Sequence, residues 1–370
     1  MIKLSSPDIN DEDIQRVIEV LKSENLVQGI NVSKLEYLLS EYAKIPYSVV
    51  VSSGTAALHL ALMAIGISKD DSVIIPAFTF PATANVVEIL GGNVILTDVD
   101  KTSYVTTPEE IENAIINNKD KNVKAVIVVH EFGYPAQIKK IAKITKKYGI
   151  CLIEDAACAL GTTADDYHVG YYSDMACFSF HPRKAITTGE GGAVITNNSE
   201  FAENIKIIRN HGMYKAEDSI DFIYAGLNYR MTDFQAALAI GQLERFNEEL
   251  EKRKNIVAYY FDLLKGTEFL TLPKNNNFHS WQSFMIVIEK SINRAKVINE
   301  LLKKGIETNY GAYAINCLNY YQKKYSFKEN DFKIATELYK NGLAIPLYGK
   351  LVFKDILYIT ECLKSVLGNC

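Results

Sequence analysis

The run that decides the reading is Phe178-Ser179-Phe180-His181-Pro182-Arg183-Lys184-Ala185-Ile186-Thr187-Thr188-Gly189-Glu190-Gly191-Gly192-Ala193-Val194. A lysine stands in a loop between two apolar, strand-like segments. Ser179 and His181 precede it, and a glycine-rich turn follows. Most lysines face solvent. One held in a half-buried cleft gives up its proton more readily and condenses with an aldehyde to form an imine. His181 reads as a structural hydrogen-bonding group.

Working outward, the same kind of apolar segment recurs at Ser48–Val51, Val73–Pro76, Val94–Leu96, Ala125–Val129, Ile150–Ile153, Met175–Phe180 and Ala193–Thr196. Segments this apolar suit strands buried on both faces, and the helically spaced stretches between them imply a mostly parallel sheet. The fold class is therefore α/β, a three-layer α/β/α arrangement. Phe234–Lys254 reads as one long helix leading out of this unit. Beyond it, Ser283–Glu289 reads as a strand and Arg294–Lys304 as a helix ended by Gly305. We expect a large unit over residues 1–250 and a smaller C-terminal α+β unit over 251–370, with the helix Asp11–Ser23 packing near the smaller one. Ligands of open parallel sheets bind beyond the carboxyl ends of the strands, so the chemical residues should follow these runs directly.

Two further motifs do so. In Val51-Ser52-Ser53-Gly54-Thr55-Ala56-Ala57-Leu58 a strand ends, small residues turn the chain and an apolar helix begins. The free N–H groups and dipole of a helix start suit an anion such as phosphate; a plain turn with a serine cap reads the same way. In Ile153-Glu154-Asp155-Ala156-Ala157 a carboxylate follows a buried strand. It needs a cationic partner, such as a protonated pyridine nitrogen, or else it caps a helix. A phosphate site, a pyridinium partner and a lysine, in that order, are the handles that pyridoxal 5'-phosphate requires.

The bulk properties set limits. The 370 residues are 48% hydrophobic and 23% charged, with a formal net charge of −4, so no global field draws nucleic acid or an anionic membrane. No separate basic segment or helix-turn-helix reads as a DNA-binding module. The start, Met1-Ile2-Lys3-Leu4-Ser5-Ser6-Pro7, does not read as a signal peptide, and no apolar run is long enough to span a bilayer. The six cysteines form no C-x-x-C pair and no zinc-like spacing with histidine. We expect reduced thiols, no metal site and a cytoplasmic location.

At this point the chain resembles the DegT/DnrJ/EryC1/StrS family of sugar aminotransferases, within fold type I of the pyridoxal-phosphate enzymes. The likeness runs from about Gln28-Gly29 to the C-terminus and is densest from Ser52 to Ala237. It is carried in family order by Ser-Gly-Thr-Ala-Ala-Leu at 53–58, Pro-Ala-Phe-Thr-Phe at 76–80, Glu-Asp-Ala-Ala at 154–157, Ser-Phe-His-Pro-Arg-Lys at 179–184, Thr-Thr-Gly-Glu-Gly-Gly at 187–192, Arg-Asn-His-Gly at 209–212 and Gly-Leu-Asn-Tyr-Arg-Met-Thr-Asp at 226–233. The resemblance implies that Lys184 holds the cofactor as a Schiff base and later shuttles the proton. Asp155 would pair with the ring nitrogen. Phosphate would meet the backbone of Gly54, Thr55 and Ala56 and the hydroxyl of Ser179, and Phe80 would stack on the ring. Asn228 would reach into a neighbouring subunit's phosphate site, which implies a homodimer with composite sites; Arg230 would touch phosphate or substrate. Phe80 also reads as core, Asn228 as a turn residue and Arg230 as an ion-pair partner.

The implied activity is transfer of an amino group, glutamate being the donor, to a 3- or 4-keto sugar carried on a nucleotide. Such chemistry belongs to amino-sugar and surface-polysaccharide synthesis, lipopolysaccharide O-antigen included. There are two departures. Cys158, a weak hydrogen-bonding group, stands where relatives carry Gln, His or Glu that can contact the cofactor's ring hydroxyl. Thr308–Ile315 contains no histidine where many relatives have one in a substrate loop. Two other readings are a sugar dehydratase of the same fold, against which Lys184 argues because such relatives carry histidine there, and a non-catalytic regulator.

Overall fold

In the computed structural model, which describes residues 1–216 and 219–369, all seven apolar runs are strands of one sheet. They are β1 (Tyr47–Val51), β2 (Asp71–Pro76), β3 (Asn93–Thr97), β4 (Asn122–Val129), β5 (Cys151–Asp155), β6 (Met175–Ser179) and β7 (Gly192–Thr196). Their spatial order is β1-β7-β6-β5-β4-β2-β3. The pairs β6/β5, β5/β4, β4/β2 and β2/β3 are parallel, and β7 runs antiparallel to both β6 and β1.

Alternate residues of the strands serve opposite faces. Cys177, Ile127, Ile153 and Val194 pack with Leu58, Ala61 and Ala84 on one side. Ala176, Phe178, Ala193 and Ile195 pack with Leu35, Leu39, Ala236 and Ile240 on the other. Val126, Val128 and Leu152 extend that second face onto Ile111, Ile115, Ile138 and Ile141. The sheet is thus covered by helices on both sides, the three layers that the runs imply.

A three-stranded antiparallel sheet, Leu270–Thr271, Phe284–Ile288 and Gly342–Ile345, lies in the C-terminal part. It shares a core with helices Phe246–Leu264, Arg294–Lys303 and Phe353–Leu367 through Tyr260, Phe284, Ile286, Val297, Leu301 and Leu363. The intervening residues Ala314, Ile315, Tyr321 and Leu338 pack instead into the core of the seven-stranded sheet.

Phe234–Lys254 is not one helix. Helix Asp233–Glu244 ends at Arg245, whose φ of −103° and ψ of 10° break the spiral, and helix Phe246–Leu264 begins after it. The Arg245 guanidinium is committed elsewhere: it donates to Asp13 Oδ1 at 2.9 Å and Oδ2 at 2.5 Å and to the Asp8 carbonyl. Through this pair, helix Asp11–Ser23 is held to the Asp233–Glu244 helix. The residues before it reach the smaller sheet's surroundings: Ile2 bridges Ile306, and Leu347 N–H donates to the Leu4 carbonyl.

Candidate active site

The carboxyl ends of β1, β2, β4, β5 and β6 open onto one cavity of about 360 Å³. Its wall includes Gly54 and Thr55 after β1, Thr79 and Phe80 after β2, Glu131 after β4, Asp155 and Cys158 at and after β5, Ser179 at the end of β6, and Lys184. The three sequence motifs therefore meet in space.

The helix start is shaped by its smallest residue. A Cβ on Gly54 would lie 2.7 Å from the Ser179 Cβ. Ser53 caps helix Gly54–Ala64 by accepting the Ala56 N–H at 3.0 Å. The N–H groups of Gly54 and Thr55 have no partner among the described residues, as first-turn groups do not. Ala56 is buried, with its N–H already engaged, and does not line the cavity.

The lysine loop is pinned at several points. Phe180 N–H donates to the Gly191 carbonyl at 2.8 Å, and Thr187 Oγ1 donates to the Phe180 carbonyl at 2.9 Å. Gln242, from the Asp233–Glu244 helix, bonds both ways to the Thr187 backbone: it accepts the N–H at 3.0 Å and donates to the carbonyl at 2.8 Å. Gly192 lets this hairpin reach the turn before helix Gly54–Ala64, since a Cβ there would lie 2.6 Å from the Ser53 backbone.

Asp155 is 5% exposed. Its Oδ2 accepts from Thr83 Oγ1 at 2.7 Å and its Oδ1 from Ala157 N–H at 3.1 Å. Burial raises its pKa above the ordinary carboxyl range, although Thr83, Ala157, Lys184 and His130 all work to lower it. Behind it, His130 accepts the Ala136 N–H on Nδ1 at 3.1 Å, so the proton sits on Nε2, 2.5 Å from Glu154 Oε2. Gly170 N–H donates to the other Glu154 oxygen at 2.9 Å, which completes a buried polar cluster.

Lys184 Nζ lies 2.9 Å from Cys158 Sγ. Burial works to lower the lysine's pKa, but Cys158, Asp155 and Glu131 raise it, and the balance is upward. Burial likewise pushes the Cys158 thiol up. Phe80 is half open to the cavity and meets Tyr313 edge-on, with ring centres 6.1 Å apart. His181 accepts the Arg183 N–H on Nδ1 at 3.2 Å, the local structural bond read for it.

Asn228 and Arg230 lie apart from this cavity. Asn228 is exposed and bridges Asn210 through the backbone. Arg230 donates to the Asn210 side chain and lines a separate open depression with Val27, Gln28, Gly29 and Ser33. Among the described residues, no group of three His, Cys, Asp or Glu side chains is placed to hold a metal ion, and no helix is long and apolar enough to cross a membrane.

Sequence reading missed Thr83, Thr79 and, most notably, Glu131. This glutamate is 6% exposed, and its pKa is pushed up to about 8 by burial and then by Asp155. It lines the main cavity and also an adjoining one of about 110 Å³, whose wall includes Leu4, Arg183, Lys184, Gln282 and Tyr310.

The donor set fits pyridoxal phosphate. Two free N–H groups and a serine hydroxyl suit a phosphate, a buried carboxylate is bonded only to neutral groups among the described residues, and a lysine shares its cavity.

The chain matches the DegT/DnrJ/EryC1/StrS aminotransferase family over residues 7–364. It is 33% identical to UDP-4-amino-4,6-dideoxy-N-acetyl-beta-L-altrosamine transaminase of Campylobacter jejuni, over 99% of this chain and 98% of that one. A sugar aminotransferase structure from Streptococcus pneumoniae, in its PMP form, superposes with a TM-score of 0.93 at 27% identity, covering 99% and 97% of the two chains. A Helicobacter pylori aminotransferase involved in the biosynthesis of pseudoaminic acid superposes with a TM-score of 0.92 at 26% identity, covering 100% of both.

Proposed function

The chain belongs to the DegT/DnrJ/EryC1/StrS aminotransferase family, and from that premise we propose that this sugar aminotransferase carries an amino group from glutamate to a 3- or 4-keto sugar linked to a nucleotide. Pyridoxal phosphate is the cofactor of the family. The observation that carries the reading is the meeting of Lys184, Asp155 and the free first-turn N–H groups of Gly54 and Thr55 around one cavity. The Campylobacter jejuni relative, named for a UDP-sugar, supports the nucleotide-linked acceptor.

Bound in this cavity, the cofactor supplies an aldehyde for the amino group and a ring that takes up electrons as a carbon–hydrogen bond breaks. Lys184 would hold it covalently through Nζ. Once the donor's nitrogen displaces it, the freed Nζ would move the proton away from the donor carbon. The Asp155 carboxylate would face the ring nitrogen and keep it protonated. Gly54 and Thr55 N–H and the Ser179 hydroxyl would hold the phosphate, and Phe80 would cover the ring. Cys158, beside Nζ, would modulate the ring electronics.

We also propose a homodimer in the cytoplasm, in which exposed Asn228 serves the neighbouring subunit's phosphate site and Arg230 lies near it. The products would enter amino-sugar synthesis for surface polysaccharides. The test is a pair of half-reactions. Glutamate should convert the bound cofactor to its amine form, and nucleotide-linked keto sugars, offered singly, should restore the original absorbance. Conversion by no amino acid would overturn the reading. A deoxygenated sugar formed without amino donor would replace it with a dehydratase.

A further inference from the structure

Glu131 is the buried group that the mechanism above leaves idle. It follows β4 in a short turn, Glu131–Gly133, in which Phe132 adopts the left-handed conformation (φ 56°). A Cβ on Gly133 would lie 2.3 Å from Ser280 Oγ, so the turn is pressed against the smaller sheet's approach and Glu131 faces inward. Among the described residues its carboxyl makes no hydrogen bond of ordinary geometry to another side chain. Lys184 and the adjacent Phe132 N–H are the groups that favour its charge, and they are outweighed. Burial thus favours its protonated form, and it stands where the main cavity meets the adjoining one.

Transamination needs two kinds of proton movement. One is at carbon, and Lys184 accounts for it. The other is at oxygen. When a keto substrate takes up an amino group, its oxygen leaves as water. The oxygen gains two protons and the incoming nitrogen gives up two. Carbon–oxygen bonds break as carbon–nitrogen bonds form, and nothing is oxidised or reduced. Three other groups on the wall are poorly suited to protonate that oxygen. Asp155 is engaged by Thr83 and Ala157. The Cys158 thiol is a weak donor, and its pKa is raised by burial. His181 has its pKa lowered, chiefly by burial.

We propose that Glu131 is a second proton-handling residue of this site, giving a proton to the oxygen that departs as water and recovering one from the nitrogen. This rests on the aminotransferase reading above. The charged and titratable groups facing the same space are Asp155 and Cys158 from the β5 end, His181, Arg183 and Lys184 from the lysine loop, Glu190 after it, and Tyr310 from the C-terminal part. General acid–base help of this kind contributes about 10²–10⁴-fold.

Two measurements test it. In cofactor-free protein, the infrared difference between wild type and Glu131→Gln should contain a protonated-carboxyl band that disappears as pH rises through about 8. In the loaded enzyme with glutamate, the ratio of α-proton exchange with solvent to 2-oxoglutarate release should rise by about 10²–10⁴-fold in Glu131→Gln. A purely structural role would slow both processes together and leave the ratio unmoved. An ionised Glu131 at neutral pH, or an unchanged ratio in an active variant, overturns the proposal alone. A wild-type protein that neither exchanges an α-proton nor releases a keto acid with any amino acid overturns the aminotransferase reading and this inference with it; if another amino acid serves as donor, the same ratio is read with it.

Discussion

A carboxylate at the end of β5 keeps its charge only if something positive comes to meet it, and Lys184 and His130 are the groups of this chain that favour that charge from nearby. Lys184→Ala should remove covalent cofactor attachment and turnover together. Borohydride treatment followed by mass spectrometry should find the adduct in wild type and none in the variant. Glu131 gives a second test at this scale, read from stability. Its folded-state pKa of about 8 lies above the ordinary glutamate value of 4.5, so between those limits the folded chain binds more protons than the unfolded one. Stability of the cofactor-free protein should fall as pH rises through that window and level off above it. In Glu131→Gln the fall should be shallower, measured as urea midpoints along a pH series. That Lys184 and Asp155 would share one cavity was legible in the sequence, because both lie at or beyond the carboxyl ends of buried strands. Glu131 was not. A glutamate in a strand-end turn is ordinarily solvated, and this turn bends at Phe132 and presses through Gly133 on Ser280, which arrives from far along the chain.

The seven strands could be read because a strand buried on both faces is apolar throughout, a signal that needs no partner to interpret. The break at Arg245 could not, since helical spacing continues on both sides of it. At the break the Arg245 guanidinium is bonded to Asp13, more than two hundred residues earlier in the chain. The glycine run after Lys184 was read as a turn; its clash with backbone is at Gly192, which presses against Ser53 and the Phe178 carbonyl. Gly192→Ala should therefore separate the lysine hairpin from the start of helix Gly54–Ala64. Overpacking of this kind costs about 1–3 kcal/mol, and cofactor affinity should drop along with thermal stability. Cofactor titration monitored by absorbance would show it; unchanged affinity would mean that the two loops move independently.

The division at about residue 250 is our proposal for the whole molecule, and Arg245 is the tie beside it. Asp13 is fully buried, while the Arg245 side chain is 23% exposed. Arg245→Ala would leave that carboxylate without its cation, at a cost of about 3 kcal/mol. A lowered melting temperature should follow, and a melt split into two transitions would support the two-unit division. The contact of Ile2 with Ile306 and of Leu4 with Leu347 has a further consequence. Leu4 and Ser5 also form part of the wall of the smaller cavity. During synthesis Leu4 is made long before Leu347, its partner. That smaller chamber can therefore close only after Leu347 has left the ribosome.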